Sequence, residues 1–455
     1  MLTASRRPPA ASGLLPTELI ATSPGSRLIK HFCVPLLLCV GCVVAPSAHG
    51  ERLEEVLRYT LQNHPRAQAA NAGLRATEFQ LAQARSGRAP RFSLIADPGR
   101  LYNRDSSRSS DVGDLGVRGS VLMYDGGRTQ SLIARDQSRV AAAGALSELT
   151  ADELAARVAD VYVEWFKQER LTDLAQANVE AHQALYDRVE QIASFDRGRA
   201  SDLIQVGARL QQAKITVASR RGAANEAQAV LSDLVGREVA GVEPLRDAVE
   251  VLPATLQSNI SLLETHPSSL AADAQARAAQ QNFGLAAAWL KPRLDLQSTV
   301  NSPQDFIGRR QYFDNYDLRV AISWTPFDGG GGSAGARAAE QEFLQAKAAA
   351  QAVRRELSAR VAELWSQIAT RRERAGQFAS LVEQATAVRE AYWQQFTIGR
   401  RSIIDLLNAE NESFQARLGA ASERLELQQT QYRLLAATSQ LTSFLGVAPA
   451  TERKP

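Results

Sequence analysis

Apolar residues along this chain keep two different periods. Between Arg128 and Phe195, Leu154, Val158, Val161 and Trp165 step by four, three and four, and between Ala334 and Phe396 the same steps recur at Leu357, Val361, Leu364 and Ile368. That is a heptad seam, the spacing of helices packed nearly parallel with knobs in holes. Each stretch reads as one helix of ~65 residues, and at ~1.5 Å per residue such a rod is ~100 Å long. An ordinary globular helix is far shorter. The rods must belong to an extended coiled coil or form the wall of a tube.

The second period is two. Leu294, Leu296, Ser298 and Val300 interleave with Arg293, Asp295, Gln297 and Thr299, and Leu318, Val320, Ile322 and Trp324 interleave with Arg319, Ala321, Ser323 and Thr325. In the first half, Leu115, Val117, Gly119, Val121 and Met123 alternate with Gly116, Arg118, Ser120, Leu122 and Tyr124, after a strand candidate at Arg91 to Ala96. One apolar and one polar face over about ten residues is the dyad pattern of a transmembrane barrel strand. A soluble sheet with one wet face alternates in the same way. Asn103 to Asp114, dense in Ser, Arg and Asp, reads as an exposed loop at the tip of the first hairpin.

The chain is a duplication. Ala156-Arg157-Val158-Ala159-Asp160-Val161-Tyr162 recurs as Ala359-Arg360-Val361-Ala362-Glu363-Leu364-Trp365, an offset of 359 − 156 = 203. The first repeat, 51–250, holds helices broken at His64-Pro65, a hairpin at 91–124, a long helix at 128–195 and a return helix at 201–236. The second, 251–448, holds helices broken at His266-Pro267, a hairpin at 293–326, a long helix at 334–396 and a return helix at 402–446, before a tail at 449–455. Arg237 to Asn259, with Pro244 and Pro253, reads as a linker between repeats. Each hairpin ends in a matching turn, Asp125-Gly126-Gly127 and Asp328-Gly329-Gly330, where the glycines let the backbone take positive φ and swing from strand into rod. No Gly-Lys-Ser/Thr follows the run Gly329 to Gly332, so a phosphate cradle is a poor fit.

Charge is nearly balanced, 52 Lys+Arg against 49 Asp+Glu, with no basic block to suggest nucleic acid. Cys33, Cys39 and Cys42 all lie in one apolar run from Phe32 to Val44, which ends in Ala45-Pro46-Ser47-Ala48-His49-Gly50. That is an export signal over residues 1–50, cut near Ala48 or Gly50; the other reading is a buried apolar helix. Cys39-Val40-Gly41-Cys42 is a poor lipoprotein box, because Cys39 stands where Leu is usual. Past residue 50 no segment is apolar enough for a spanning helix, so any crossing of a membrane is made by strands.

Catalysis finds little footing, and no cofactor is expected. His64, His182 and His266 are scattered, no zinc spacing exists, and no Ser-His-Asp order or nucleophile elbow appears. Four strands are too few to close a barrel, and an open sheet edge cannot survive in lipid. Identical partners must supply the rest; three copies give twelve strands around a water-filled bore.

The export signal, the helix broken at Asn63-His64-Pro65, hairpins ending in Asp-Gly-Gly, and Gly399-Arg400-Arg401-Ser402-Ile403-Ile404-Asp405-Leu406-Leu407 together resemble the TolC family of outer-membrane efflux and secretion ducts, over nearly all of 51–448. The resemblance implies a mainly α fold with β: a trimeric, 12-stranded transmembrane β-barrel continuous with a long periplasmic α-helical barrel. It implies a passive outer-membrane channel whose partners are outer-membrane lipid, a periplasmic adaptor and an inner-membrane ABC or proton-driven pump. By position, Asp405 matches an aspartate that narrows the periplasmic entrance, Arg401 an arginine that holds it closed, and Ser201 and Asp202 that arginine's partners. Asn408 stands where a second entrance aspartate can occur. Arg197, Gly198, Arg199, Gly399 and Arg400 fall at the adaptor-contacting tips, and the two arginines of the first turn replace the more apolar tip of multidrug-efflux members. That departure tilts the expectation to type I protein secretion, with multidrug or metal efflux as the alternative. Ser402 with Asp405 three residues on is also a plain capping box, needing no pore. A soluble exported coiled-coil scaffold explains the rods but not two identically placed amphipathic hairpins.

Overall fold

The computed structural model describes residues 50–447 apart from 104–107, 196–198, 250 and 306–314. The expected export signal with its three cysteines, the tip residues Arg197 and Gly198, and the tail 449–455 lie outside the described residues. Helices α1 (Leu53–Asn63) and α2 (Pro65–Ser86) lead into strands β1 (Arg91–Asn103) and β2 (Arg108–Tyr124), then α3 (Arg128–Phe195) and α4 (Ala200–Val235). The plan repeats as α5 (Leu256–Ser261), α6 (Pro267–Ala287), β3 (Arg293–Asp305), β4 (Asn315–Ser323), α7 (Gly331–Thr397), α8 (Ile403–Ala437) and the short α9 (Leu441–Phe444). Proline opens α2 and α6, where its missing N–H costs nothing. The preceding histidines cap those helices: Nδ1 of His64 accepts from Arg66 N–H and Nδ1 of His266 from Ser268 N–H, both at 3.1 Å.

The heptad seam is where the core lies. Val158 and Trp165 of α3 are buried against Val56 and Leu57 of α1, Leu231 and Val235 of α4, and Tyr432 and Leu435 of α8, and Leu154 is buried a turn earlier. The matching residues Val361, Leu364 and Ile368 of α7 pack on Leu263 and on Leu434 of α8. The segment between repeats is drawn into the same core through Val239 and Ala248. At its centre the Tyr162 hydroxyl accepts the N–H of Glu243 at 2.8 Å and donates to the carbonyl of Glu51 at 2.7 Å. Burial pushes that phenol above its ordinary value, so it stays a neutral donor. An ion pair of Glu51 with Arg237 holds the same junction.

All four strands join one antiparallel sheet in the order β1-β2-β3-β4, so the two repeats meet along β2 and β3. The register aligns the alternation across the sheet: Leu94 faces Val117, Val117 faces Val300 and Val300 faces Tyr316, while Val121 faces Leu296 and Leu296 faces Val320. The intervening rows pair Ser93 with Arg118, Arg118 with Thr299 and Gln297 with Arg319. Directly opposed residues share a face. One face is therefore mainly apolar and the other mainly polar. The apolar face is bare: Phe92, Leu94, Leu318 and Ile322 are 78%, 84%, 73% and 67% exposed.

Two elements differ from the sequence reading. Strand β2 begins at Arg108, inside the expected loop, and Val112–Leu115 pair with Asp305–Ser302 of β3. A central strand draws its stability from backbone pairing on both sides, which a polar composition does not prevent. The expected unbroken return helix 402–446 stops at Ala437. Ser439 takes φ 57°, and the Ser439 and Thr442 hydroxyls turn to the buried Asp152 carboxylate of α3.

Candidate functional site

The two helical turns far along the chain from the sheet residues are brought together by one small core. Leu185 and Val189 of α3, Val206 of α4, Phe396 of α7, and Ile403, Leu406 and Leu407 of α8 pack as a unit. The end of α3 and the start of α4 are thus fixed against the end of α7 and the start of α8. Gly399 takes φ 73°, and its N–H bonds back to Phe396 while that of Arg400 bonds to Gln395, closing α7. Ser402 then starts α8 by accepting the Asp405 N–H at 3.2 Å.

These contacts decide where the charged residues sit. The Arg401 guanidinium lies over the Tyr392 ring, 3.9 Å from its centroid, and its Nε is 3.8 Å from Asp405 Oδ2. Within one chain Asp202 pairs with Arg199 at 3.7 Å rather than with Arg401. Both ion pairs are partly solvated, in a class of contact that contributes about 0–1 kcal/mol. Arg401 is held more by the aromatic face than by the carboxylate, and the pair can be exchanged for another at little cost. Asp405 is half-exposed, and Asn408, Ser201, Gly399 and Arg400 are exposed. Large apolar side chains also stand bare here: Phe195, Ile204, Ile398 and Ile404.

Sequence reasoning missed Tyr392, which lies nine residues before Arg401 across the turn and has no local signature. It also missed the buried Glu410, five residues beyond Asp405, whose carboxylate lies 3.8 Å from Arg389 and 3.7 Å from Arg417. The acid–base spacing on α8 carries that signal, since 417 − 410 = 7 puts both on one face.

At the other end, the strand-to-helix turns are built alike. Asp125 accepts the N–H groups of Gly127 at 3.0 Å and Thr129 at 2.6 Å; Asp328 accepts those of Gly330 at 3.1 Å and Gly332 at 2.6 Å. Gly126, Gly127, Gly329 and Gly330 take φ of 69°, 90°, 72° and 90°, a region costly for any residue with a Cβ. Each carboxylate caps the helix that follows, so the aspartate does as much as the glycines. Among the described residues no helix is long and apolar enough to cross a membrane, and no group of three acidic, His or Cys residues could hold a metal ion.

The family model described as outer membrane efflux protein matches residues 56–237 and 260–440, one match per repeat. The chain is 20% identical over 424 residues to the outer membrane efflux protein BepC of Brucella suis biovar 1 (strain 1330), covering 92% of each chain. Among solved structures, the outer-membrane channel OprN superposes with a TM-score of 0.75 at 21% identity, over 87% of this chain and 90% of that one. The outer membrane protein VceC of Vibrio cholerae superposes with a TM-score of 0.75 at 18% identity, over 87% and 96%. At these identities the superpositions speak to the fold.

Proposed function

The chain belongs to the outer membrane efflux protein family, and from that premise we propose that three copies close into one duct that carries protein substrates from a periplasmic adaptor and inner-membrane pump to the exterior. It is an efflux channel of the outer membrane with a periplasmic helical extension, a passive conduit and not an enzyme. The observation that carries the trimeric reading is the sheet. Among the described residues its apolar face has no protein cover and β1 and β4 each present an unpaired edge, which lipid does not tolerate. Pairing β4 of one copy with β1 of the next removes every edge. The helices ask for the same partner: α7 buries only Ala339, Ala350, Val361, Leu364, Ile368 and Phe396 along 67 residues.

At the entrance, three Asp405 carboxylates converge on the axis, with Arg401 and its exchangeable partners among Ser201 and Asp202 holding the turns inward. A ring of like charges attracts cations. In planar bilayers the reconstituted pore is expected to conduct and to be blocked by divalent cations from the periplasmic side, and Asp405→Ala is expected to relieve that block. Unchanged block leaves Asp405 only its place in the helix cap.

Type I secretion is favoured over drug or metal efflux by the charged first turn, where Arg199 stands beside Asp202. Expressed with a peptide-exporting ATPase and its adaptor in a strain lacking its own channel, the chain is expected to restore protein export. Restored drug or metal tolerance without protein export assigns it to efflux instead.

A further inference from the structure

The junction between sheet and rods carries a cationic cleft that the duplication does not need. Between α2 and α3 lies a cleft of about 480 Å³, walled by Gln80, Gln83, Arg91, Arg135, Asp136 and Arg139. Asp136 is buried and binds Arg135 Nε at 2.8 Å and Arg139 Nη1 at 3.5 Å. Arg91 opens β1 on the polar face of the sheet, opposite Ser120, and its guanidinium hangs back over Gly87 at the end of α2. Among the described residues it has no ion-pair partner. Three arginines against one aspartate leave the cleft at +2, and Arg91 ties it to the polar face of the sheet, the face that lines the bore in the proposed closed trimer.

The second repeat is the internal control. At the offset of 203, Arg135, Asp136 and Arg139 become Ala338, Ala339 and Glu342, and the strand-to-helix turn beside them is built in the same way. On the sheet of that repeat, Arg293 and Arg319 are neutralised by Asp295 at 2.7 Å and Asp317 at 3.6 Å. The architecture folds without the arginine cluster. Pairing with the buried Asp136 places Arg135 and Arg139, but one carboxylate does not balance three cations, and the second repeat does without the surplus.

We infer that this cleft is an anion-binding station in the wall of the duct, one per subunit, taking phosphate, sulfonate or carboxylate groups of a passing substrate. This rests on the reading of the polar face as the lining of a bore. Guanidinium groups bind such oxyanions through paired N–H donors, and a partly buried cluster is screened less than surface charges are. With the acidic ring at Asp405, the bore would select cations at its entrance and anions at the barrel base.

The test copies the second repeat's junction into the first: Arg135→Ala, Asp136→Ala and Arg139→Glu together, which changes the local charge from +1 to −1 with residues the fold already accommodates. Pores are measured in neutral phosphatidylcholine bilayers, reading the anion-over-cation permeability ratio in a KCl gradient and the block by inositol hexakisphosphate from the extracellular side. A fall on the order of threefold or more in both is expected. Should the triple variant not assemble, Arg139→Gln, at a half-exposed side chain, gives the same readout. Pores with unchanged selectivity and block overturn the station and leave the duct standing; wild-type protein that forms no pores overturns the duct itself. If block is unchanged but the variant loses stabilisation by anionic phosphatidylglycerol, the anion is a lipid headgroup outside the bore, and the station is refuted.

Discussion

Replacing Leu318 with arginine separates a lipid-facing sheet from a wet one. Leu318 lies on β4 opposite Ser298, on the apolar face, 73% exposed. It stands 323 − 318 = 5 residues above the base of the strand. At ~3.3 Å per residue that is ~16 Å along the strand, and with a tilt of ~45° it is ~12 Å in height, near the middle of an apolar band ~25 Å tall. If lipid bathes this face, an arginine here costs about 2–4 kcal/mol per subunit. If water bathes it, an exposed leucine is replaced within about 0.5 kcal/mol. The control is Ala321→Arg, on the polar face opposite Asp295, at the position the first repeat fills with Arg118. Urea titration of protein folded into phospholipid vesicles measures both. Leu318→Arg is expected to lose the larger amount while Ala321→Arg stays near wild type; equal, small effects at both positions would refute the assignment of faces.

Two further outcomes follow from the duplicated turns and the buried carboxylate. Gly126 and Gly329 share nearly the same positive φ, but an added Cβ at Gly126 would stand 2.4 Å from Lys291 Cβ, whereas at Gly329 nothing lies within 4 Å. Gly329→Ala should cost about 1–2 kcal/mol and Gly126→Ala clearly more, read as the yield of folded protein at rising urea; equal losses would remove Lys291 from the explanation. Burial holds the Asp152 carboxyl above its ordinary 3.8, against the opposing pull of the Ser439 and Thr442 hydroxyls. A carboxyl raised in the folded state stabilises fully below pH 3.8, and that contribution is lost as pH climbs through the folded value. Stability relative to Asp152→Asn should therefore fall between pH 3.8 and neutrality and then level; a rise over that window would reverse the reasoning.

The parts legible in the sequence are those that local periodicity encodes. The steps from Leu154 to Trp165 and from Val361 to Ile368 mark residues that the structure buries, because a helix face is set by spacing alone. The strand alternation likewise marks the faces that the register later aligns. What periodicity cannot carry is pairing between distant segments. That Val117 meets Val300, so that both hairpins form one sheet, depends on how the repeats associate. The break at Ser439 depends on Asp152, which lies 287 positions away. The polar run from Arg108 to Asp114 joins a strand because its backbone pairs with β1 along its length and with β3 from Val112 on. At the tips, Asp405 and Arg401 stand out by motif, but the Tyr392 ring that seats Arg401 is across a turn and invisible to spacing.

Trimeric closure has one direct measurement: the mass of the native assembly, released from the outer membrane in mild detergent and weighed intact by native mass spectrometry. Edges of β1 and β4 that complete each other across copies require a species of three times the subunit mass, persisting at low concentration. A stable, folded monomer carrying its four-stranded sheet would contradict it.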